Sequence, residues 1–398
     1  DEGYGLSRET LESLIEGIDL VISVDCGVSN GSEIEWLQSC NVDVIVVDHH
    51  EIPEELPPAF ALLHPRHPEG HYPFPDLAGS AVAWKLAQGL LRTEHGGISD
   101  EEKWLLDLPT IGTIGDVMPL LGENRAIVAF GLQIIERSRR PGLVALLQLR
   151  GLDQRSVTAE DMGYRVVPHL NAAGRMDHPQ AALDVLLAPS STAAETKVKA
   201  LAKLNNERRV LTNIMLEEAQ GLIDETLPAI FVFNPDWSPG VVGVVAGRLA
   251  SQYQKPAIVV GGGNGKAVGS ARTAGDVDIA EALQSAAQYA ITLGGHKQAA
   301  GFSLSVKDVE KFQSAVIKSI TASSNKRQTA REFSADAIIT PELVDWPTHQ
   351  MIRKFEPFGE GNMEPTFIWR DRPVVDARAV GRDKSHIKLR LAAQGKDL

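Results

Sequence analysis

The chain has 398 residues, of which 43% are hydrophobic, and a formal net charge of -13. This length exceeds one comfortable hydrophobic core and predicts several domains. No apolar stretch reaches the roughly 18 residues that a membrane-spanning helix needs, so we expect no membrane association. Only two cysteines are present, which excludes a disulfide framework and predicts a cytoplasmic location. The acidic total excludes a uniformly basic surface but leaves local basic patches open.

Two apolar runs near the start of the chain predict strands that each end in an acid. Run 20–24 precedes Asp25, and run 42–47 precedes Asp48–His50. A helical stretch from Ser32 to Ser39 separates the runs and predicts a βαβ unit, whose acidic strand ends would share one edge of a parallel sheet. Ligands bind at that edge. The alternative is that one histidine caps the next helix and the other is solvated.

A third acid, Asp116, lies in the apolar, glycine-containing segment 110–120. A carboxylate in such a segment costs several kcal/mol unless it is paired, either with a metal ion or with Arg125. Carboxylates with an imidazole suit a hard or borderline divalent cation and favour Mn²⁺ over Mg²⁺. Zinc is disfavoured because the spacing of Cys26 and Cys40 matches no zinc pattern.

Composition and periodicity divide the chain into four parts. Residues 1–190 alternate short strands with helices, which predicts a doubly wound α/β domain, and residues 226–322 predict a smaller α/β domain. Residues 191–225 predict a long connecting helix that lines the cleft between the two domains. We expect its basic residues to form a solvated face rather than to contact a nucleic-acid strand; they include Lys197, Lys203, Arg208 and Arg209.

Three features of the second domain point to phosphate: glycines that open a helix, two hydroxyls around an arginine, and a tight turn with an imidazole. They are Gly240 with Gly243, Ser270 and Thr273 with Arg272, and Gly294 and Gly295 with His296. The glycine-rich run Gly261–Gly265 is predicted to be a hairpin tip, because it precedes a strand and a phosphate loop precedes a helix.

Several motifs, in the order in which they occur, resemble those of the DHH phosphoesterase superfamily and, within it, the RecJ family of single-strand-specific exonucleases. The motifs are Val24–Gly27, Val47–His50, Gly112–Asp116, Pro168–Arg175, Trp237–Leu249 and Gly294–Gly301. The resemblance covers nearly the whole chain. It implies a doubly wound parallel-sheet DHH domain, a long helix, a smaller α/β DHHA1 domain and the start of an OB-fold β-barrel.

The resemblance also implies roles for individual residues. Asp25, His49 and Asp116 would bind metal, Asp48 would support the histidines, and His50 would face metal or the scissile phosphate, so that Asp48 and His50 form the catalytic pair. The nucleic-acid contacts would be Asn171, Arg175, Arg248, Ser270, Arg272, Gly294, Gly295 and His296. The implied cofactor is a pair of Mn²⁺ or Mg²⁺ ions, with manganese favoured.

Two departures from the family stand out. Nothing before Asp25 fits the Asp-x-Asp motif that supplies metal ligands on the family's first strand, and Ser238 occupies a position where family members often carry histidine. Segment 1–6 resembles the stretch just downstream of the absent motif, and segment 395–398 stops just after a predicted strand. We therefore expect a fragment that is inactive alone.

The last part, 331–398, contains Phe355–Asn362, which resembles the start of the OB-fold barrel. It is the most basic part of the chain, with Arg370, Arg372, Arg378, Arg382, Lys384, Lys388 and Arg390. Barrels of this kind bind single strands through a basic groove and stacked aromatics. Phe367 and Trp369 could stack on bases, although packing in the core explains them equally well.

The function implied is 5′-to-3′ exonuclease activity on single-stranded DNA, in DNA repair and recombination, with two metal ions at the scissile phosphate. The implied partners are single-stranded DNA, single-strand-binding protein and a helicase, and the implied state is a monomer. Two alternatives stay open. One is a DHH-family phosphodiesterase that acts on short oligonucleotides or cyclic dinucleotides, and the other is a catalytically inactive single-strand-binding relative.

Overall fold

The structure, a computed structural model, describes residues 5–263, 265–273, 275–324, 334–381, 384–393 and 396–397. Expectations for Asn264 and Arg382, and for residues 1–4, 331, 395 and 398, lie outside the described residues. The contacts divide the chain into two units. The first unit comprises Asp1–Arg139, Leu147–Val167 and Glu332–Leu398, and the second unit comprises Arg140–Leu146 and Pro168–Arg331.

The first part of the chain carries a parallel sheet and helices. Its elements are α1 (Arg8–Leu14), β1 (Leu20–Val24), α2 (Gly31–Ser39), β2 (Asp43–Val47), β3 (Ala61–Leu63), α3 (Gly79–His95), α4 (Asp100–Trp104), α5 (Asp107–Gly115) and α6 (Gly122–Glu136). Among the described residues the sheet has the order β1-β2-β3, and both strand pairs are parallel. The predicted α/β class with a parallel sheet is confirmed.

The middle strand β2 is covered on both faces, which explains its continuous apolar sequence. Val44 and Val46 are fully buried with Ile34 and Leu37 of α2, and Val47 is fully buried in a cluster with the start of α3. Each such side chain contributes about 1.5–3 kcal/mol when it is fully removed from water. β1 differs, because three alternate side chains on it are exposed: Leu20, Ile22 and Val24.

The middle of the chain is helical and then forms a second sheet. Its elements are α7 (Pro141–Leu149), α8 (Ala159–Asp161), a π-helical turn (Met162–Val166), α9 (Val167–Met176), α10 (Gln180–Leu186), α11 (Ser191–Gln220), β4 (Ile230–Asn234), α12 (Val242–Tyr253), β5 (Ala257–Gly261), β6 (Lys266–Arg272), α13 (Ile279–Gln284), β7 (Ala290–His296), β8 (Ala299–Ser305) and α14 (Val309–Ser324). The sheet has the order β4-β5-β6-β8-β7, in which only β4 and β5 pair in parallel.

The connecting helix predicted over residues 191–225 is shorter in the structure. α11 ends at Gln220, where Gly221, a residue of low helix propensity, follows. Further along the chain, α13 ends at Gln284 and a separate 3₁₀ turn, Ala287–Tyr289, follows it.

The final part of the chain has short strands and one helix. Its elements are β9 (Ala337–Ile338), α15 (Trp346–Arg353), β10 (Phe367–Ile368), β11 (Val374–Val380), β12 (His386–Ala393) and β13 (Lys396–Asp397). β11 and β12 form an antiparallel pair, and β9 pairs with β10. No helix among the described residues is long and apolar enough to cross a membrane.

Candidate functional site

The carboxyl ends of β1 and β2 bring two acids to one edge of the parallel sheet. Asp25 follows β1, and its backbone N–H donates to the Val47 carbonyl at 2.9 Å. Asp48 follows β2, and its N–H donates to the Leu63 carbonyl at 3.1 Å. The ladder continues one residue past each strand. Both acids therefore lie where a βαβ unit presents ligand-binding residues.

Asp25 has a left-handed backbone with φ of 61°, a conformation that aspartate tolerates better than most residues. Its carboxylate lies against Gly79, the first residue of α3, where any side chain would overlap the carboxylate. The free N–H groups and the dipole at a helix N-terminus favour negative charge. This environment explains how the Asp25 carboxylate is kept in place.

Asp48 organises the loop after β2. Its carboxylate is only 1% exposed and accepts the Val28 N–H at 3.0 Å, the His49 N–H at 2.8 Å and the His50 Nδ1 at 2.7 Å. Although burial opposes the charged form, the hydrogen bonds from Val28, His50 and His49 hold the pKa of Asp48 below its usual value. The bond to Nδ1 fixes the His50 ring and leaves its Nε2 available.

His49 lies between two carboxylates. Its Nε2 is 3.2 Å from an Asp25 oxygen and 3.7 Å from an Asp116 oxygen. Burial lowers the pKa of His49, but the hydrogen bond to Asp25 and the charges of Asp116 and Asp25 outweigh it, so the net shift is upward. Burial, opposed by His49 and reinforced by Asp25, raises the pKa of Asp116. We call Asp25, His49 and Asp116 the acid cluster.

The acid cluster fits a divalent cation. One ligand atom from each of Asp25, His49 and His50 lies within 4.8 Å of the others, and Asp116 faces the same imidazole. Two carboxylates and imidazole nitrogens form a donor set that suits Mn²⁺ or Mg²⁺. Burial and the charge of Asp25 raise the pKa of Asp116, and a bound cation would favour the charged form of that carboxylate.

Asp116 caps the C-terminus of α5 and begins a turn of unusual geometry. The Met118 N–H donates to the Thr113 carbonyl at 3.0 Å, and the Val117 N–H donates to the Ile114 carbonyl at 3.2 Å. This is the pattern of a Schellman cap, in which glycine usually takes the left-handed position. Here Val117 takes it, with φ of 55°. A β-branched residue in that conformation costs about 1–2 kcal/mol.

His64 supports the loop and was not singled out in the sequence. It is 7% exposed, its Nδ1 accepts the Arg66 N–H at 3.0 Å, and its Nε2 therefore donates to the His50 carbonyl at 2.8 Å. Burial lowers the pKa of His64, which keeps the ring neutral as this pattern requires. The residue follows β3 directly, so its place at a strand end was a signal that could have identified it.

In the second unit, four arginines come from four elements. We call them the arginine cluster: Arg175 of α9, Arg208 of α11, Arg248 of α12 and Arg272 of β6. Burial, followed by the charges of Arg175 and Arg248, lowers the pKa of Arg208. Burial and Arg175 also lower the pKa of Arg272. Guanidinium groups gathered in this way suit phosphate, which they bind through charge-assisted hydrogen bonds.

Arg272 is held by its own strand and lies close to the start of α12. Its guanidinium donates to the Ser270 hydroxyl and to the Ala271 carbonyl, each at 2.8 Å. A Cβ at Gly243 would come within 3.1 Å of the Ser270 hydroxyl and 3.4 Å of the guanidinium. The glycine at this helix N-terminus therefore allows the close approach that an anion site needs.

The sheet register aligns further predicted residues with Arg272 and Ser270. His296 and Arg272 both pair with Ala299, and Gly294 and Ser270 both pair with Gly301. Residues that are directly opposite in paired strands share one face of a sheet. Arg272 and His296 therefore lie on one face, two strand spacings or about 10 Å apart.

One local prediction in the second unit was wrong. Gly294, Gly295 and His296 end the strand β7 and do not form a tight turn, because Gly295 packs against Ala300 of the neighbouring strand.

Asn171 and Arg175 lie on the helix α9. The two are four residues apart, so they share one face of that helix. Both are exposed.

Arg208 was expected on a solvated face of α11, but it is half-buried within the arginine cluster. Its guanidinium donates to the Asn205 side-chain oxygen at 3.0 Å, and Asn205 in turn bonds to the His169 ring at 3.1 Å. Asn205 and His169 are both buried. Arg248, in contrast, is exposed and donates to Asn213 at 2.8 Å.

Three family descriptions match the chain. The DHH family, N-terminal domain, matches residues 4–113, the DHHA1 domain matches residues 226–322, and the RecJ OB domain matches residues 335–398. These matches support the DHH, DHHA1 and OB-fold expectations.

Curated relatives carry the name single-stranded-DNA-specific exonuclease RecJ. The Bacillus subtilis protein is 35% identical over 100% of this chain and 50% of its own length. The Haemophilus influenzae protein is 32% identical over 98% of this chain and 71% of its own length. The Escherichia coli protein is 31% identical over 99% of this chain and 72% of its own length. The chain thus spans half the length of the Bacillus protein.

Solved structures agree. RecJ from Thermus thermophilus in complex with Mn²⁺ matches with a TM-score of 0.85 at 31% identity, over 98% of this chain and 57% of that chain. An exonuclease RecJ bound to manganese matches with a TM-score of 0.67 at 33% identity, over 81% and 80%. The sequence identity, the domain matches and the shared fold together establish that this chain belongs to the RecJ family.

Proposed function

We propose that the protein is a metal-dependent exodeoxyribonuclease that hydrolyses phosphodiester bonds of single-stranded DNA from the 5′ end. The observation that carries the proposal is the convergence of Asp25 and Asp116 on the His49 Nε2, at 3.2 and 3.7 Å. The names of the relatives support the substrate and the reaction. The relatives' names specify single-stranded DNA as their substrate, and such a substrate supports a role in DNA repair and recombination in the cytoplasm.

Asp25, His49 and Asp116 would hold divalent metal ions, for which the relatives' structures with Mn²⁺ and with Mg²⁺ provide support. When bound, two such ions neutralise a phosphodiester and lower the pKa of a coordinated water. The imidazole among the carboxylates favours manganese.

The side chains of Asp48 and His50, in the loop after β2, orient one another and are proposed to neutralise charge on the phosphate. The 2.7 Å contact between Asp48 and the His50 Nδ1 orients the ring, so that its Nε2 can face a metal ion or the scissile phosphate. The His50 side chain is 54% exposed, which leaves that nitrogen open to a substrate. His64 holds the His50 backbone from behind.

The arginine cluster, with Asn171, Ser270, Gly294, Gly295 and His296, is proposed to bind the DNA backbone. Phosphate contacts of this kind give affinity without sequence preference. The buried network from His169 through Asn205 supports a fixed orientation for Arg208.

The test replaces His49 by alanine in the complete protein and follows the Mn²⁺-dependent release of nucleotides from 5′-labelled single-stranded DNA. We expect release to fall by at least about 100-fold, because a ligand and its charge network are lost. His95→Ala is the matched control, since His95 lies on the surface of the first unit and pairs with Glu101 at 3.6 Å. Unchanged release with His49→Ala would overturn the metal role.

The same assay separates the alternative functions. Preference for dinucleotides over long strands would favour a small-substrate phosphodiesterase. Strand binding without any hydrolysis would favour an inactive single-strand-binding protein. Release from the 3′ end alone would contradict the proposed polarity.

A further inference from the structure

A loop near the C-terminus packs against the turn that follows Asp116. This loop, Phe355–Asn362, and the turn, Asp116–Leu121, both belong to the first unit. The Leu120 N–H donates to the Glu360 carbonyl at 2.6 Å. This bond ties the backbone four residues after Asp116 to a segment that is distant in sequence.

Arg125 makes the second connection. The sequence left open an ion pair between Arg125 and Asp116, but the guanidinium donates to the Phe355 carbonyl at 2.7 Å and to the Glu356 carbonyl at 3.5 Å. Arg125 lies in the first turns of α6, directly after the turn. The loop backbone is therefore bound at two places, by the Leu120 N–H in the turn and by the Arg125 side chain just after the turn.

Two glycines allow the loop to lie flat on the turn. A Cβ at Gly359 would come within 2.7 Å of a Leu120 methyl group. Gly361 has φ of 72°, and a Cβ there would come within 3.3 Å of both Leu121 and Pro119. The contact surface therefore depends on the absence of side chains at these positions.

The loop is itself well ordered by hydrogen bonds. The Asn362 side-chain amide donates to the Phe355 carbonyl at 2.9 Å and to the Pro357 carbonyl at 2.7 Å. Gly359 and Asn362 exchange two backbone bonds, at 3.0 and 3.1 Å. A loop with this many internal bonds can act as a rigid support.

The turn requires such a support. Val117 holds a left-handed conformation that L side chains rarely adopt, and strain of this kind persists only where the surroundings impose it. Leu120 is 3% exposed and packs with Ile114 of α5 and Val128 of α6. Fixing Leu120 from both its side chain and its N–H therefore fixes the strained turn between it and Asp116.

We infer that Phe355–Asn362 is a positioning loop for the Asp116 carboxylate. It contributes no ligand, yet it holds the turn that directs Asp116 towards His49. The loop lies within residues 335–398, the segment matched by the RecJ OB domain. The inference rests on the proposed function only in the metal role of Asp116.

The test uses Gly359→Val, which drives a side chain into Leu120. We expect about tenfold weaker Mn²⁺ binding by calorimetry, the scale on which residues that orient metal ligands act. We also expect faster amide hydrogen exchange across Val117–Leu120. Lys103→Met is the control, because Lys103 is exposed on α4 and pairs at 2.9 Å with Asp100, which is not part of the loop, and it should change neither measurement.

Asn362→Asp is the second variant if Gly359→Val fails to fold. It keeps the shape of the side chain but removes both donors to the loop carbonyls, and we expect the same two effects at smaller size. Unchanged exchange and unchanged affinity in a folded variant would overturn the inference. Faster exchange with unchanged Mn²⁺ affinity would overturn it as well, because the turn would then move without moving the carboxylate.

The two proposals fail on different measurements. If the unsubstituted protein binds Mn²⁺ no better than its Asp116→Asn variant, the metal role of Asp116 fails. Hydrogen exchange at Val117–Leu120 then still decides whether the loop holds the turn. A variant that only lowers overall stability would raise exchange throughout the first unit, and that result would count against a positioning role.

Discussion

The acid cluster and the arginine cluster gather like charges in opposite geometries. In the acid cluster, two carboxylates converge on one imidazole nitrogen, at 3.2 and 3.7 Å. The arginine cluster is spread over three helices and a strand, and Arg208, Arg248 and Arg272 are each held by a different neighbour. A compact focus of charge suits a small cation, and a spread of charge suits a polyanion. The formal net charge of -13 predicts neither, because local arrangement decides what binds.

The two clusters also differ from Asp48, the buried acid of the first unit. Asp48 has its charge satisfied by hydrogen bonds, and its pKa is lowered despite burial. The pKa of Asp116 is raised and that of Arg208 is lowered, so both are charged against their surroundings. A charged group that destabilises the folded state is retained because it binds a ligand. A charged group whose hydrogen bonds are all made inside the protein, such as Asp48, stabilises the fold instead. The predictions below test that distinction.

The largest effect is expected for Asp116→Asn. Hydrolysis of single-stranded DNA should fall by at least about 100-fold, since a metal-binding charge is removed. The thermal unfolding midpoint of the metal-free protein should stay equal or rise, because repulsion with Asp25 is relieved. Asp153→Asn is the control, as Asp153 is an exposed partner of Arg155. A lower midpoint for Asp116→Asn would mean that the carboxylate supports the fold.

Asp48→Ala should act in the opposite way, on stability. Removing this buried acceptor leaves the Val28 and His49 N–H groups without their partner, which costs about 2–3 kcal/mol of unfolding free energy. Guanidinium chloride unfolding of the metal-free protein measures it. Asp100→Ala, on the exposed start of α4, should leave the midpoint unchanged. A neutral result for Asp48→Ala would remove its assigned role in organising the loop.

Arg272→Met should weaken the binding of single-stranded DNA by about 10- to 100-fold, which is the range for loss of a charge-assisted hydrogen bond. Fluorescence anisotropy without metal measures affinity in the absence of hydrolysis. Lys203→Met removes the same charge from the surface of α11, where Lys203 faces Glu207 at 3.8 Å. Equal losses in the two variants would show that total charge, and not the cluster, binds the strand.

Arg208→Met should have the smallest effect, a loss of affinity of about threefold at moderate salt, because the residue is half-buried and its guanidinium is already bonded to Asn205. If Arg208 contacts one phosphate, the slope of log affinity against log salt concentration should decrease by about 0.7. Binding measured at several salt concentrations gives that slope. A loss of affinity with an unchanged slope would assign Arg208 to the packing of α11 and not to the strand.

Local patterns predicted that Asp25 and the Asp48–His50 loop come together, whereas the grouping of His49 with Asp25 and Asp116 was implied by the family resemblance. The β-branched runs that end at Asp25 and Asp48 indicated parallel strands, and the βαβ rule then brought their ends together. Asp116 was identified because a carboxylate within an apolar segment requires a partner that stabilises its charge. The partner considered in sequence, Arg125, binds the loop Phe355–Asn362 instead.

The arginine cluster could be predicted only in part. Arg272 and Arg175 lie in recognisable motifs, but nothing local distinguishes Arg208 from the other basic residues of α11. Arg208 bonds to Asn205, and Asn205 bonds to His169, a residue 36 positions before Asn205 in the chain. The strand that ends at His296 was missed because its two glycines indicated a turn. Gly295 is required instead by its contact with Ala300 on the neighbouring strand, and such a contact cannot be seen in the local sequence.

Val117 marks where stabilising this protein would be counterproductive. Glycine at that position would relieve the left-handed strain, and a design procedure based on stability would select it first. The same substitution would add backbone freedom beside Asp116, so a more heat-resistant protein would hold that carboxylate less firmly, and we expect the proposed hydrolysis to be slower. Thermostabilised forms of this chain are better sought at exposed helix positions distant from α5.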